Sequence, residues 1–232
     1  MIEARGLAKY FGRFSALRDL NLDVDRGEFV AVFGRNGAGK TTFLRILASL
    51  SRPSAGTVRI GGKPLPMSGD RRGMIGYLSH STSVYGDLTA LENLRFYSSI
   101  QNLPATDEHL KECIGRVGLA GREREPVRNF SRGMQQRLAI ARAFLNDPSI
   151  LLMDEPFTGL DQPGTEFLIN RLSEDRRRGK TCLMAIHDAQ LGYMLADRLI
   201  VIERGVIARD FSKTSVSLTQ FRDSYNALVS EK

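Results

Sequence analysis

Apolar and polar positions change period several times along this chain, and each change marks an element. From Ala16 to Val24 they alternate with the two-residue period of a half-buried strand. After an Arg26-Gly27 turn, Phe29-Val30-Ala31-Val32-Phe33 is a continuous apolar run of strand length. Phe43, Leu44, Ile46, Leu47 and Leu50 then fall on one helical face, which Pro53 closes. Gly56 to Ile60 and Met74 to Leu78 read as short strands on either side of a Gly/Pro/Ser-rich loop. From about Leu88 to Asn146 the period becomes helical. Leu91, Leu94 and Tyr97 form one stripe, with Thr89 and Glu92 spaced as a capping box. Leu110, Cys113, Ile114 and Val117 form a second, and Leu138, Ile140, Ala141, Phe144 and Leu145 a third, ended by Asn146-Asp147-Pro148. Strands and helices alternate after that: Ile150 to Met153, a helix following Pro163, Cys182 to Ile186, a helix around Leu191 to Leu195, and Leu199 to Ile202. A short amphipathic helix is expected between Val216 and Val229. The pattern is that of an α/β core interrupted by a helical insertion.

Composition adds boundaries to this picture. With 232 residues, 42% of them hydrophobic and 25% charged, the chain has the make-up of a globular domain with a sizeable core. Its longest aliphatic runs are strand-sized, far short of the roughly 20 residues a bilayer-spanning helix needs. The first residues, Met1 to Gly6, carry no apolar leader, so the expectation is a cytoplasmic protein. Cys113 and Cys182 are far apart and read as reduced core residues. His80, His109 and His187 have no zinc-ligand spacing. The net charge of +7 comes from 33 basic and 26 acidic residues, with short clusters at Arg71-Arg72, Arg122 to Arg128 and Arg176 to Arg178. Such a charge attracts anionic surfaces but is equally that of a solvated basic exterior, and nucleic acid is not an expected partner.

Two motifs carry chemistry. Gly34-Arg35-Asn36-Gly37-Ala38-Gly39-Lys40-Thr41 follows an apolar strand and opens an amphipathic helix. At this spacing glycines let the backbone approach phosphate oxygens, successive N–H groups make an anion cradle, and the helix adds its positive end. Lys40 then reaches the β- and γ-phosphates, and the Thr41 hydroxyl, followed by Thr42, binds Mg²⁺. The second motif is the strand Ile150 to Met153, which delivers Asp154 and Glu155 to its C-terminal end, where α/β sheets place ligands. Taken alone, Asp-Glu after a strand is often an exposed turn. Downstream of a phosphate loop it reads as a carboxylate that holds Mg²⁺ through water, Asp154, and one that polarises the attacking water, Glu155.

Further along, the residues resemble those of a known family. Phe130-Ser131-Arg132-Gly133-Met134-Gln135-Gln136-Arg137 resembles the signature motif of the ABC ATPases. Thr158-Gly159-Leu160-Asp161 resembles their D-loop, Ile186-His187-Asp188 their switch histidine, and Tyr10-Phe11-Gly12 their adenine-stacking loop, with Phe11 as the stacker. The resemblance implies a P-loop NTPase fold, an ABC nucleotide-binding domain with a RecA-like core, an antiparallel β subdomain and a helical lobe. It divides the single domain 1–232 into a RecA-like and β lobe at about 1–80 and 149–215, a helical lobe at about 84–148 and a tail helix at about 216–230. It further implies ATP and Mg²⁺ as ligands and a head-to-tail pair of such domains. In that pair Ser131, Gly133 and Met134 face the partner's ATP, while Glu155 and His187 handle the attacking water. Ser131 also fits an ordinary helix N-cap, and the two roles coexist.

Two positions depart from the family pattern. Met134 stands where a glutamine is usual and lacks the amide's hydrogen bonds. His80, in Ile75-Gly76-Tyr77-Leu78-Ser79-His80, stands where the Q-loop glutamine is usual. Mg²⁺ prefers oxygen donors, so His80 is either a tolerated polar substitution or a link between the nucleotide site and the coupling surface. With Leu88-Thr89-Ala90-Leu91-Glu92-Asn93-Leu94-Arg95-Phe96-Tyr97 after it, the stretch looks like the ATP-binding subunit of the haem exporter of cytochrome c maturation. The expected function is ATP hydrolysis driving export through a separate membrane-spanning permease, met by the helical lobe near Tyr85 and Glu92, with the chain peripheral on the inner face of the membrane. Drug, lipid or polysaccharide exporters share this layout, and a soluble ABC ATPase outside transport is the alternative of another class.

Overall fold

The structure, a computed structural model, describes residues 1–66, 73–102 and 105–230. The Arg71-Arg72 cluster and part of the Gly/Pro/Ser-rich loop lie outside these residues. The chain divides into two compact units, Met1–Met67 with Leu152–Glu155 and Asp175–Lys232, and Ser68–Leu151 with Pro156–Glu174. Residues 156–174 thus group with the helical unit, whereas the sequence expectation ran the α/β lobe from 149 to 215.

The first unit contains two sheets. Strands β1 (Ile2–Phe11), β2 (Phe14–Val24), β4 (Ala55–Ile60) and β5 (Lys63–Pro64) form an antiparallel sheet in the order β2-β1-β4-β5. Ile2, Ala4, Leu7, Leu17, Leu20, Leu22, Val24, Val58 and Ile60 line its buried face. Strand β3 (Phe29–Phe33) lies parallel between β8 (Thr181–Ala185) and β9 (Arg198–Glu203) in a second sheet, with β10 (Val206–Ser212) antiparallel on the edge of β9. All five residues of β3 and all five of β8 are buried, as continuous apolar runs require of a sheet covered on both faces. Strand β7 (Ile150–Asp154) adjoins β8 and ends in this unit at the two acidic positions. Helices α1 (Lys40–Leu47), α6 (Ala189–Leu195) and α7 (Leu218–Ser230) complete it. Phe43, Leu44, Ile46 and Leu47 of α1 are buried as their spacing predicts.

The second unit holds strand β6 (Ile75–Leu78) and helices α2 (Ala90–Ile100), α3 (Asp107–Arg116), α4 (Arg132–Phe144) and α5 (Gln162–Arg177), the last running on past Glu174. Thr89 caps α2 in a complete capping box with Glu92, Thr106 caps α3 and Ser131 caps α4. Leu91, Leu94, Leu110, Ile114, Leu138 and Ile140 form its core.

Candidate functional site

The site in the first unit begins with a helix whose leading N–H groups are left open. At α2, α3, α4 and α6 the residues Thr89, Thr106, Ser131 and Asp188 accept hydrogen bonds from backbone N–H groups of the first turn. At α1 the cap position is Gly39, which has no side chain to offer. Those N–H donors therefore remain available to an anion, where the helix dipole also favours negative charge. The loop before them is shaped by glycine in a way no other residue permits. A Cβ on Gly34 (φ +147) would lie 2.2 Å from the Ile202 carbonyl oxygen, and one on Gly39 (φ +111) would lie 2.5 Å from that of Ala16. The β9–β10 turn supports the loop from below, since Gly205 N–H donates to the Ala38 carbonyl at 3.0 Å. Arg35, Asn36 and Gly37 form the exposed crest.

Lys40 is buried, and its Nζ donates to the carbonyl oxygens of Gly34 at 2.6 Å and Arg35 at 3.2 Å. Burial pushes its pKa below the ordinary lysine value, while the negative charges of Glu155 and Asp154 pull it back up. Beside it, Thr41 Oγ1 donates to Asp154 Oδ2 at 2.7 Å, and Asp154 is almost wholly buried at the end of β7. A hydroxyl and a carboxylate in hydrogen-bond contact are hard oxygen donors of the kind Mg²⁺ takes along with waters and phosphate oxygens. These residues fit that ion.

Glu155 is held in the left-handed region (φ +53), a conformation that disfavours a side chain by about 1–2 kcal/mol. Its N–H donates to the Ala185 carbonyl at 3.0 Å, which fixes the turn after β7. The conformation brings its carboxylate to His187, with 2.6 Å between Oε1 and Nε2. Backbone strain at such a position is a mark of functional sites. The two strand ends, β7 and β8, thus bring an acid–base pair into the same unit as the phosphate loop. Phe11 stands in the β1–β2 hairpin with its ring 55% exposed and Lys9 Nζ 5.0 Å from the ring centroid.

The second unit carries the other predicted residues. Ser131 Oγ accepts from Met134 N–H at 3.3 Å, so the serine is the N-cap of α4. Gly133 lies where a Cβ would come within 3.4 Å of the Gly159 carbonyl oxygen. Asp161 accepts from Gly164 N–H at 3.1 Å and from the guanidinium of Arg137, which holds its carboxyl below the usual range. His80 is exposed. Asn93, buried in α2, clamps the approach to that helix: its Oδ1 accepts from Tyr85 N–H at 2.8 Å, and its Nδ2 donates to the carbonyls of Tyr85 at 3.0 Å and Thr89 at 2.9 Å. Tyr85 and Phe96 remain exposed and meet edge to face with centroids 5.2 Å apart.

Sequence reasoning missed three contributors. Phe14 pairs with Phe11 across the hairpin and is equally exposed, so the hairpin presents two exposed aromatic residues where the sequence expectation named one. Its signal was a third aromatic within four residues of Tyr10. Arg137 at the end of the signature segment orients Asp161, and nothing in the spacing announced that pair. Gly205 follows Arg204 (φ +48) in a strand–turn–strand pattern that was readable as a tight turn, though not as a prop for the phosphate loop.

Comparison with known proteins places the chain in a family. The model of the family described as "ABC transporter" matches residues 17–158. The chain is 34% identical over 208 residues to a sulfate/thiosulfate import ATP-binding protein of Chromobacterium violaceum, covering 89% of this chain but only 57% of that protein. It is 36% identical over 189 residues to the cytochrome c biogenesis ATP-binding export protein CcmA of Vibrio parahaemolyticus, covering 81% of this chain and 92% of that one. Among solved structures, the dimeric post-hydrolysis state of an ATP-binding cassette bound to ADP and phosphate superposes with a TM-score of 0.83 at 28% identity, covering 92% of this chain and 99% of that one.

Proposed function

Since the chain belongs to the ABC transporter ATP-binding family, we propose that it hydrolyses ATP to drive export through a separate membrane-spanning permease. The observation that carries the catalytic part is the Glu155–His187 contact in the same unit as Lys40, Thr41 and Asp154. In this reading the N–H groups of the phosphate loop and of Thr41 and Thr42 bind the β- and γ-phosphates, and Lys40 exchanges its two carbonyl partners for phosphate oxygens. Phe11, with Phe14 beside it, stacks on the adenine. Thr41, and Asp154 through water, would hold Mg²⁺, which would offset negative charge on the phosphates. Glu155 takes the proton of the attacking water, and His187 orients that water and contacts the γ-phosphate.

Hydrolysis then needs a second copy. Ser131, Gly133 and the Met134 backbone sit at the start of α4, and a helix N-terminus is an anion site. Placed against the partner's ATP, they complete a composite site, with Asp161 oriented by Arg137 at its edge. The dimeric cassette among the solved neighbours supports this arrangement. On the helical unit, the exposed Tyr85–Phe96 pair held by Asn93 is the surface we assign to the permease. No helix among the described residues is long and apolar enough to cross a membrane. In the transport reading the Tyr85–Phe96 contact would hold the chain at the inner face of the membrane. We favour haem export for cytochrome c maturation. His80 and the near-full-length match to CcmA, 92% of that protein, support it.

Turnover of MgATP by the purified chain, together with co-purification of a hydrophobic subunit from membranes, tests the transport reading. Salt-sensitive binding of nucleic acid with no membrane partner would replace it by the soluble alternative. Stimulation of the assembled complex by haem, but not by sulfate or polyamine, tests the substrate. If His80→Gln left both ATPase activity and transport unchanged, the coupling role of His80 would be refuted.

A further inference from the structure

Residues 79–88, between β6 and the Thr89 cap of α2, form neither helix nor strand. Chain of this kind keeps a fixed course where side chains tie it to regular elements, and two side chains do so here. From α2, Asn93 holds both backbone groups of Tyr85. From α4, Arg142 Nη1 donates to the carbonyl of Ser83, a contact across 59 positions of sequence. Ser83 is held in the left-handed region (φ +48), a conformation that persists where contacts impose it. Arg142 stands in the last turn of α4, half-buried, with its Nε wholly so. Its guanidinium lies over the Tyr97 ring of α2, 5.2 Å from the centroid. Burial pushes its pKa below the ordinary arginine value, and the nearby phenols of Tyr97, Tyr85 and Tyr77 pull it back up. An arginine so placed stays charged. Among the described residues its Nε meets no acceptor. On stability alone an apolar side chain would serve as well at such a place. What the arginine adds is a junction of α4, α2 and the irregular stretch.

We propose that Arg142 is a positioning residue for energy coupling, clasping residues 79–85 to α4 so that a displacement of Ser131 at one end of that helix reaches Tyr85 near the other. This rests on the transport reading above, in which Ser131 meets the partner's ATP and Tyr85 meets the permease. At 1.5 Å per residue, α4 carries the displacement over about 16 Å. Its buried Leu138, Ala139, Ile140 and Ala141 keep it seated in the unit as it does so. Without the arginine that helix remains, but its grip on the irregular stretch is lost. Asn93 would still hold Tyr85, though no longer from the helix that begins at the signature.

The test uses the full chain, alone and as the complex drawn from membranes with its hydrophobic subunit. Arg142→Met keeps most of the stem and removes the cation, whereas Tyr97→Leu keeps the cation and removes the ring against it. Amide hydrogen exchange in residues 81–88 is expected to speed up roughly tenfold or more in Arg142→Met, from the loss of one hydrogen bond to a charged group. In Tyr97→Leu it should speed up about two- to tenfold. For the isolated chain, kcat and KM for MgATP should stay within about twofold of wild type in both. MgATP turnover by the complex should fall in both, in Arg142→Met at least about fivefold, the lower end of couplings between sites. General loosening of the fold would not produce that split between isolated and assembled protein. Wild-type exchange in 81–88, or a complex as active as wild type, overturns the proposal, and Tyr97→Leu decides it should Arg142→Met not fold. Recovery of no hydrophobic subunit by the wild-type chain would instead sink the transport reading, while the exchange rates would still report on the clasp.

Discussion

Replacing Glu155 by Gln tests the central chemical assignment, because it changes charge while keeping shape. The carboxylate lies 2.6 Å from His187 Nε2 and is aimed by a left-handed backbone that the Ala185 carbonyl fixes. Glutamine fits the same volume and φ as poorly or as well as glutamate, so the fold should not suffer measurably. What disappears is the proton acceptor. A positioned general base is worth about 10²–10⁴ in rate, or about 2.7–5.4 kcal/mol of barrier at 1.36 kcal/mol per decade. Single-turnover hydrolysis of MgATP should slow by that factor, while nucleotide binding, read by equilibrium dialysis, stays within a few fold. Because ATP is then retained, the variant should also run as a dimer in MgATP on size exclusion with light scattering. Turnover within about threefold of wild type would refute the assignment, since a positioned general base typically contributes at least about 10²-fold.

Three other outcomes are expected. Lys40 lies below the ordinary lysine pKa, so ATP affinity should fall as pH rises through that lowered value; in Glu155→Gln, which deletes a charge that raises it, the fall should move to lower pH, and coincident Kd–pH curves would contradict this. Gly39→Ala combines a left-handed φ with a Cβ 2.5 Å from the Ala16 oxygen, and should destabilise the fold by about 2–5 kcal/mol in urea titration as well as weaken nucleotide binding. Thr89→Ala removes the capping box of α2 and should lower Tm by about 2–4 °C without changing kcat of the isolated chain, as calorimetry and an ATPase assay would report.

How much of this was legible in the sequence depended on whether a feature was local. Strand β3 matched its predicted position because it is a continuous apolar run, and α1 buries Phe43, Leu44, Ile46 and Leu47 of its 3.6-residue stripe but ends at Leu47, which leaves the predicted Leu50 exposed beyond the helix. The Thr89–Glu92 capping box was equally local and equally plain. Strand β1 escaped the alternation argument because its pairing with β2 is interrupted by register shifts around Gly6, whose N–H donates to the Asn21 side chain. A bulged strand does not keep a two-residue period. Strand β10, half exposed on a sheet edge, has no apolar run to betray it. In the site, the phosphate loop was legible because glycines and a lysine at that spacing have few other uses, and the acidic strand end was legible only because that loop stands upstream of it. The Arg137–Asp161 pair joins residues 24 positions apart, and the bond between the β9–β10 turn and the loop is longer-range still. Such contacts exist only once the chain has folded.

The resting place of Lys40 changes how its removal should be interpreted. In the free loop the ammonium does not wait in solvent; it satisfies two carbonyl oxygens, those of Gly34 and Arg35. In the proposed reaction nucleotide capture is a swap of one set of acceptors for another, and the heat released in calorimetry is then a difference between the two. Lys40→Ala would do more than subtract a cation. It would leave two negative dipole ends turned into the cradle and so give the site a repulsion it never had. The near-complete loss of ATP binding expected for that variant therefore measures attraction lost plus repulsion created, and it sets an upper bound on what the lysine itself contributes.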